Sequence, residues 1–135
     1  MPKWVNELTG NILHACIKIH TKLGSGLLES VYENVLKYEL EKLSYTVEQQ
    51  KPVPVIYDDI KFEDGFRADL IVQGMVIIEL KSVEGLEKIH FKRTYTYLKL
   101  SNIHDGILMN FNVNLIKDGF HRLFNNPYKE NTDLW

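Results

Sequence analysis

From Trp4 to Leu23, apolar side chains recur every three or four residues, at Val5, Leu8, Ile12, Ala15, Cys16, Ile19 and Leu23, which is the period of an amphipathic helix. Leu23-Gly24-Ser25-Gly26 breaks the pattern, because glycine relaxes the backbone and ends helices readily. A second helix is predicted from near Leu27 to about Ser44, with Leu28, Val31, Tyr32, Val35, Leu36, Leu40 and Leu43 as its stripe. The period then changes to two. Thr46 to Tyr57 carries Val47, Val53, Val55 and Tyr57, and Pro52 and Pro54 mark it as an edge or irregular strand, since proline brings no N–H to a ladder. Asp58-Asp59 and Glu63-Asp64-Gly65 read as turns. Ile60 to Phe62, Phe66 to Val72 and Val76 to Ser82 read as strands, the last two joined as a hairpin through Gln73-Gly74-Met75. A third helix is expected over Ile89 to Leu100, then a buried strand over Ile107 to Phe111 and a last one including Phe120 to Phe124.

That order predicts an α/β or α+β domain, a sheet covered by helices. With 135 residues and 44% apolar content, the chain is long enough for one core and short for two. A single domain over 1–135 is expected, with 126–135 a loose polar tail from which Trp135 can dock on the body. The one cysteine, Cys16, excludes an internal disulfide and a Cys-rich zinc site and fits a reducing compartment. The start MPKWVNELTG lacks a signal-peptide pattern and no stretch approaches the roughly 18 apolar residues of a membrane span. A cytoplasmic protein with no membrane association is therefore expected. The formal net charge of −2 argues against a generally basic nucleic-acid binder, so any such surface must be local. Lys88, His90, Lys92, Arg93 and Lys99 form the visible candidate; the same cluster also fits an ordinary solvated helix face.

Chemistry concentrates in Arg67-Ala68-Asp69-Leu70-Ile71-Val72 and Val76-Ile77-Ile78-Glu79-Leu80-Lys81, where charges interrupt two strongly apolar strands. Burying a carboxylate there is unfavourable unless something pairs with it, and a divalent cation does so. A hairpin loop of odd length, such as three residues, sets Asp69 opposite Glu79, and strand alternation puts Glu79 and Lys81 on one face. Asp69, Glu79 and the Leu80 carbonyl could hold Mg²⁺, with Lys81 beside a bound water. A structural salt bridge from Lys81 to Glu79 or Asp69 is the competing reading. On the second helix Glu29 falls within the apolar stripe, between Leu36 and Leu40, and could reach the same site; Glu33 lies at the edge, and Glu39 also falls inside.

The run Gly26-Leu27-Leu28-Glu29-Ser30-Val31-Tyr32-Glu33 resembles the signature of the GxxExxY family, whose members resemble PD-(D/E)xK nucleases. The likeness continues through Gln50-Lys51-Pro52, Asp69-Leu70, Glu79-Leu80-Lys81, Tyr97-Leu98-Lys99 and Asn110-Phe111. It implies an α/β restriction-endonuclease-like core, a mixed β-sheet flanked by helices. It also implies a catalytic set of Glu29, Asp69, Glu79 and Lys81, and a Mg²⁺ or Mn²⁺ site on Asp69, Glu79, Leu80 and Glu29. The expected activity is phosphodiester hydrolysis of DNA or RNA, with Arg93, Tyr97, Lys92 and His90 against the substrate. A homodimer or protein partner would help such a small core to hold a duplex. Where these nucleases often show Gln-x-x-x-Tyr on the next helix, Tyr97 matches and Arg93 does not. Arg93 can bind phosphate or neutralise the site carboxylates, which leaves a catalytically inactive module, binding nucleic acid or protein in a regulatory role, as the alternative.

Overall fold

The computed structural model describes residues 3–125, with side chains from residue 6 onward, so the expectations for the tail and for Trp135 lie outside the described residues. The elements run α1 (Lys3–Leu23), α2 (Glu29–Lys42), β1 (Val47–Tyr57), β2 (Ile60–Val72), β3 (Val76–Lys81), α3 (Lys88–Ser101), β4 (Asp105–Asn110), a short 3₁₀ turn (Ile116–Asp118) and β5 (Phe120–Phe124). The strands lie side by side in chain order. β3 and β4 are parallel, with α3 as the crossover between them, and the other pairs are antiparallel. The result is the expected mixed sheet flanked by helices.

Strand alternation sorts the buried residues into two layers. Leu70, Val72, Val76, Ile78 and Leu80 pack with Leu8, Ile12 and Cys16 of α1 and Tyr32, Leu36 and Leu40 of α2. Ile71, Ile77, Leu108 and Leu123 pack on the other face with Leu98 of α3. The alternation slips at one place. Val47 and Val53 fall in opposite layers although both positions are odd, and so do Leu70 and Ala68, both even. Between them stand Gln50, with a left-handed φ of 50°, and Asp69, a position on each strand missing from the register between the pairs Gln49–Leu70 and Lys51–Ala68. The change of face between β1 and β2 thus falls where the charged residues sit.

Beyond that change of face β2 loses its second neighbour, because β3 pairs only with Leu70, Ile71 and Val72. β1 and β2 continue alone as a ribbon. Glu63-Asp64-Gly65 is not the turn its composition suggests: β2 runs through it, and these three residues stand against Pro54 alone, between the pairs Val53–Phe66 and Val55–Phe62. A bulge absorbs the extra length. Gly65 is required there, since a β-carbon would overlap the Val55 side chain and lie 2.9 Å from its backbone nitrogen.

Two further devices fix the ends of elements near the charged residues. The Tyr32 hydroxyl donates to the Gly24 carbonyl at 2.7 Å and accepts the Leu27 N–H at 3.2 Å, while its ring stacks on Phe111 at 4.3 Å between centroids. It clamps the loop in which Gly24 and Gly26 take positive φ, 76° and 91°. Asn110, buried at the end of β4, accepts the Val83 N–H at 3.2 Å and donates to the Val83 carbonyl at 2.9 Å, anchoring the chain just after β3.

Candidate active site

The ladder registers Val72 with Val76, Ile71 with Ile77 and Leu70 with Ile78, so the three-residue loop brings Asp69 opposite Glu79. There side chains take over from the backbone ladder. Glu79 Oε1 accepts the Asp69 N–H at 3.3 Å, and Asp69 Oδ2 accepts the Leu80 N–H at 2.9 Å. Since the N–H and C=O of one strand residue point to the same neighbour, the Leu80 carbonyl turns to the Asp69 side as well.

Glu79 is 6% exposed. Burial first, and the charge of Asp69 second, push its carboxyl up to about 9, against the lowering effects of the Asp69 N–H and the Lys81 ammonium. A buried carboxylate beside a second acid is unfavourable as an anion unless a cation accompanies it. Lys81 is half-buried on the same side of β3 as Glu79. It makes no ion pair with Glu79 or Asp69, so the salt-bridge reading of the three charges does not describe this geometry.

From α2 the inward acid is Glu33 and not Glu29. Glu33 is buried, its Oε1 accepting from Gln50 Nε2 at 2.8 Å and its Oε2 from Gln49 Nε2 at 2.7 Å. The same Gln50 amide donates to Asp69 Oδ1 at 3.1 Å, so it bridges helix acid and strand acid. Burial raises the Glu33 carboxyl, the two glutamines oppose this, and the Asp69 charge adds to the rise. Glu29 is exposed as the first residue of α2, and its side chain has no hydrogen bond or ion pair with the described residues. The helical wheel misplaces it because the first turn of α2 overhangs the core: Leu28 and Val31 are exposed as well. Glu39 joins Lys18 of α1 at 3.1 Å and Lys42 at 3.4 Å, a pairing between helices remote from this chemistry.

The third wall comes from α3. Tyr97 stacks on Phe66 of β2, ring centroids 4.1 Å apart and 3° from parallel. Burial first, then the Glu79 charge, raise its hydroxyl, the Arg93 guanidinium lowers it, and Asp69 raises it slightly. Arg93 and Tyr97, one helical turn apart, therefore flank the acids. Arg93 and Lys92 are exposed, and Arg93 makes no ion pair with the described residues. His90 supports the helix start, its Nδ1 accepting the Glu87 N–H at 2.9 Å in the capping box that opens α3. Gln49, Glu33 and Phe66 went unread as site residues in the sequence. The one available signal was a pair of adjacent glutamines in an edge strand, just before Lys51-Pro52.

A family model described as the PD-(D/E)XK nuclease superfamily matches residues 6–123, nearly all of the described chain. The chain belongs to that superfamily. No curated protein and no solved structure matches it. PD-(D/E)XK nucleases generally use divalent metal ions, and the donors present suit a hard cation: two opposed carboxylates, Glu79 with its ionisation suppressed by burial, and a backbone carbonyl on the same edge. Among the described residues no cluster of three or more His, Cys, Asp and Glu side chains is set to hold an ion. The PD-(D/E)XK core here thus offers a carboxylate pair that leaves much of an octahedral shell to water.

Proposed function

We propose that this protein is a divalent-metal-dependent nuclease, hydrolysing phosphodiester bonds in DNA or RNA with Mg²⁺ or Mn²⁺. The observation that carries the reading is the opposition of Asp69 and Glu79 at the end of a ladder, with Lys81 on the same face and in an ion pair with neither. Asp69, Glu79 and the Leu80 carbonyl would hold the ion, which supplies positive charge against the phosphate and makes a water more acidic. Lys81 orients the attacking water or stabilises charge developing on the phosphate. Gln50 holds Asp69 in place through Glu33. Arg93 contacts an adjacent phosphate, bidentately where geometry permits, with Lys92 as a further cation. Within the superfamily, Gly26, Glu29 and Tyr32 carry the GxxExxY pattern. The single buried thiol of Cys16 suits a reducing, cytoplasmic setting.

Purified protein incubated with Mg²⁺ or Mn²⁺ and single- or double-stranded DNA and RNA should cleave at least one of them. Chelation, Asp69→Asn and Lys81→Ala should each abolish the activity. Absence of cleavage, or cleavage indifferent to those substitutions, would sink the reading. One observation favours the catalytically inactive alternative: both Asp69 oxygens already accept hydrogen bonds, from Gln50 and from Leu80. Calorimetry separates the two, because metal binding that Asp69→Asn and Glu79→Gln remove speaks against a module that only binds nucleic acid or protein.

A further inference from the structure

Charge and aromatic residues are distributed unevenly around the acids. α3 is basic where it passes them, with Lys88, Lys92 and Arg93 exposed. The ribbon formed by β1 and β2 is the reverse. Residues 51–68 hold Asp58, Asp59, Glu63 and Asp64 against Lys51, Lys61 and Arg67, and each of these cations is taken up by an acid, Lys51 by Glu48, Lys61 by Glu63 at 3.4 Å and Arg67 by Asp64 at 3.6 Å. A duplex presents two phosphate backbones, and clustered cations must meet both if it is to be held. Among the described residues α3 is the basic wall beside this site, and the cations of the ribbon are neutralised by acids.

Aromatic surface follows the same ribbon. Residues directly opposite in a ladder share a face, and the pairs are Val53–Phe66, Val55–Phe62 and Tyr57–Ile60. Val53 and Phe66 lie on the side of α3, where Phe66 meets Tyr97, and beyond the bulge Val55 and Tyr57 share a face with Phe62 and Ile60. Aromatic exposure grows outward along the ribbon: Phe66 is half-buried, while Phe62 and Tyr57, together on one face farther out, are 54% and 71% exposed. Successive rows on such a face lie about 7 Å apart, within reach of successive bases of an extended single strand. Bases in a duplex are stacked inside it, whereas unpaired bases are free to stack on side chains.

Resting on the nuclease reading above, we propose that the substrate is single-stranded nucleic acid, one base stacking on the Tyr97–Phe66 pair while Arg93 holds the neighbouring phosphate. The site then binds one backbone along α3 and excludes a second at the acidic ribbon. Specificity for strandedness arises from what the site repels as much as from what it attracts.

Fluorescence anisotropy with the full chain in EDTA, using a labelled pyrimidine single strand and a blunt duplex of equal length, tests this. The single strand should bind about tenfold tighter or more, a ratio that one or two stacked bases supply. Tyr97→Leu and Phe66→Leu should each weaken single-strand binding about tenfold and leave duplex binding as it was, while Tyr97→Phe, which keeps the ring, retains the wild-type affinity. Equal or tighter duplex binding overturns the proposal. So does an unchanged single-strand affinity in a Tyr97→Leu protein shown by its thermal transition to be folded. If that variant does not fold, the wild-type strand ratio and Tyr97→Phe decide. Cleavage of duplex that requires Asp69 and Lys81 leaves the nuclease reading standing and removes only this inference. Failure to bind or cleave any nucleic acid removes both.

Discussion

Glu79 stores an electrostatic conflict that a single substitution can release. Its carboxyl is pushed up to about 9, by burial first and by Asp69 second, so from about pH 4.5 to 9 the folded chain retains a proton that the unfolded chain has lost. Stability must then fall with rising pH across that interval, because the folded state binds more protons than the unfolded one. Glu33, also raised, adds to the same slope. Glu79→Gln keeps the shape, needs no proton, and should flatten the dependence. In EDTA at pH 8 the variant should be more stable than wild type by roughly 2–4 kcal/mol, with little difference at pH 4. Thermal melts across pH check this, and Mg²⁺ should recover stability in the wild type but not in the variant. Equal slopes for the two proteins would mean that Glu79 ionises in the folded state without difficulty.

At the scale of elements, the ribbon depends on one glycine in the way a hairpin depends on its turn. Gly65→Ala would place a methyl group into the Val55 side chain. It should destabilise by about 1–3 kcal/mol, as overpacking does, and urea titration would measure it; a neutral result would mean the bulge relaxes freely. Glu63-Asp64-Gly65 illustrates why this part was hard to read, since acidic residues and glycine signal a turn and a bulge alike. Only the partner strand, with Pro54 opposite, decides between them. The β2–β3 hairpin was legible because its apolar runs fixed the register, and the register alone set Asp69 against Glu79. Periodicity ranks Glu29, inside the stripe, above Glu33, at its edge, the reverse of their burial. A helical wheel gives the direction of a side chain but not where along its axis the helix leaves the core. The bridging Gln50 was out of reach for a related reason, because its position depends on a left-handed residue at a change of face that no local pattern announces.

For the whole molecule, the sheet is the shared wall of two cores, and Cys16 reports on both. The thiol is fully buried among α1, α2 and the sheet, and burial pushes its pKa up to about 12. Thiolate is the reactive form, so modification at neutral pH has to wait for opening of the fold. Leu36→Ala empties a fully buried position in the same layer and should lower stability by about 2–4 kcal/mol. That accelerates labelling by roughly 30- to 1,000-fold if opening is global. Leu98 is also fully buried, but in the layer on the opposite face, under α3. Leu98→Ala should speed Cys16 labelling in proportion to its own loss of stability, because Ile77 and Ile78 are neighbours on one strand and serve one layer each. An exposed ribbon substitution, Ile56→Ser, touches neither layer and should leave the rate unchanged. A Leu98→Ala protein that is destabilised yet labels at the wild-type rate would show that α3 opens from the sheet by itself. The wall of the site that carries Arg93 and Tyr97 would then move independently of the acids it flanks.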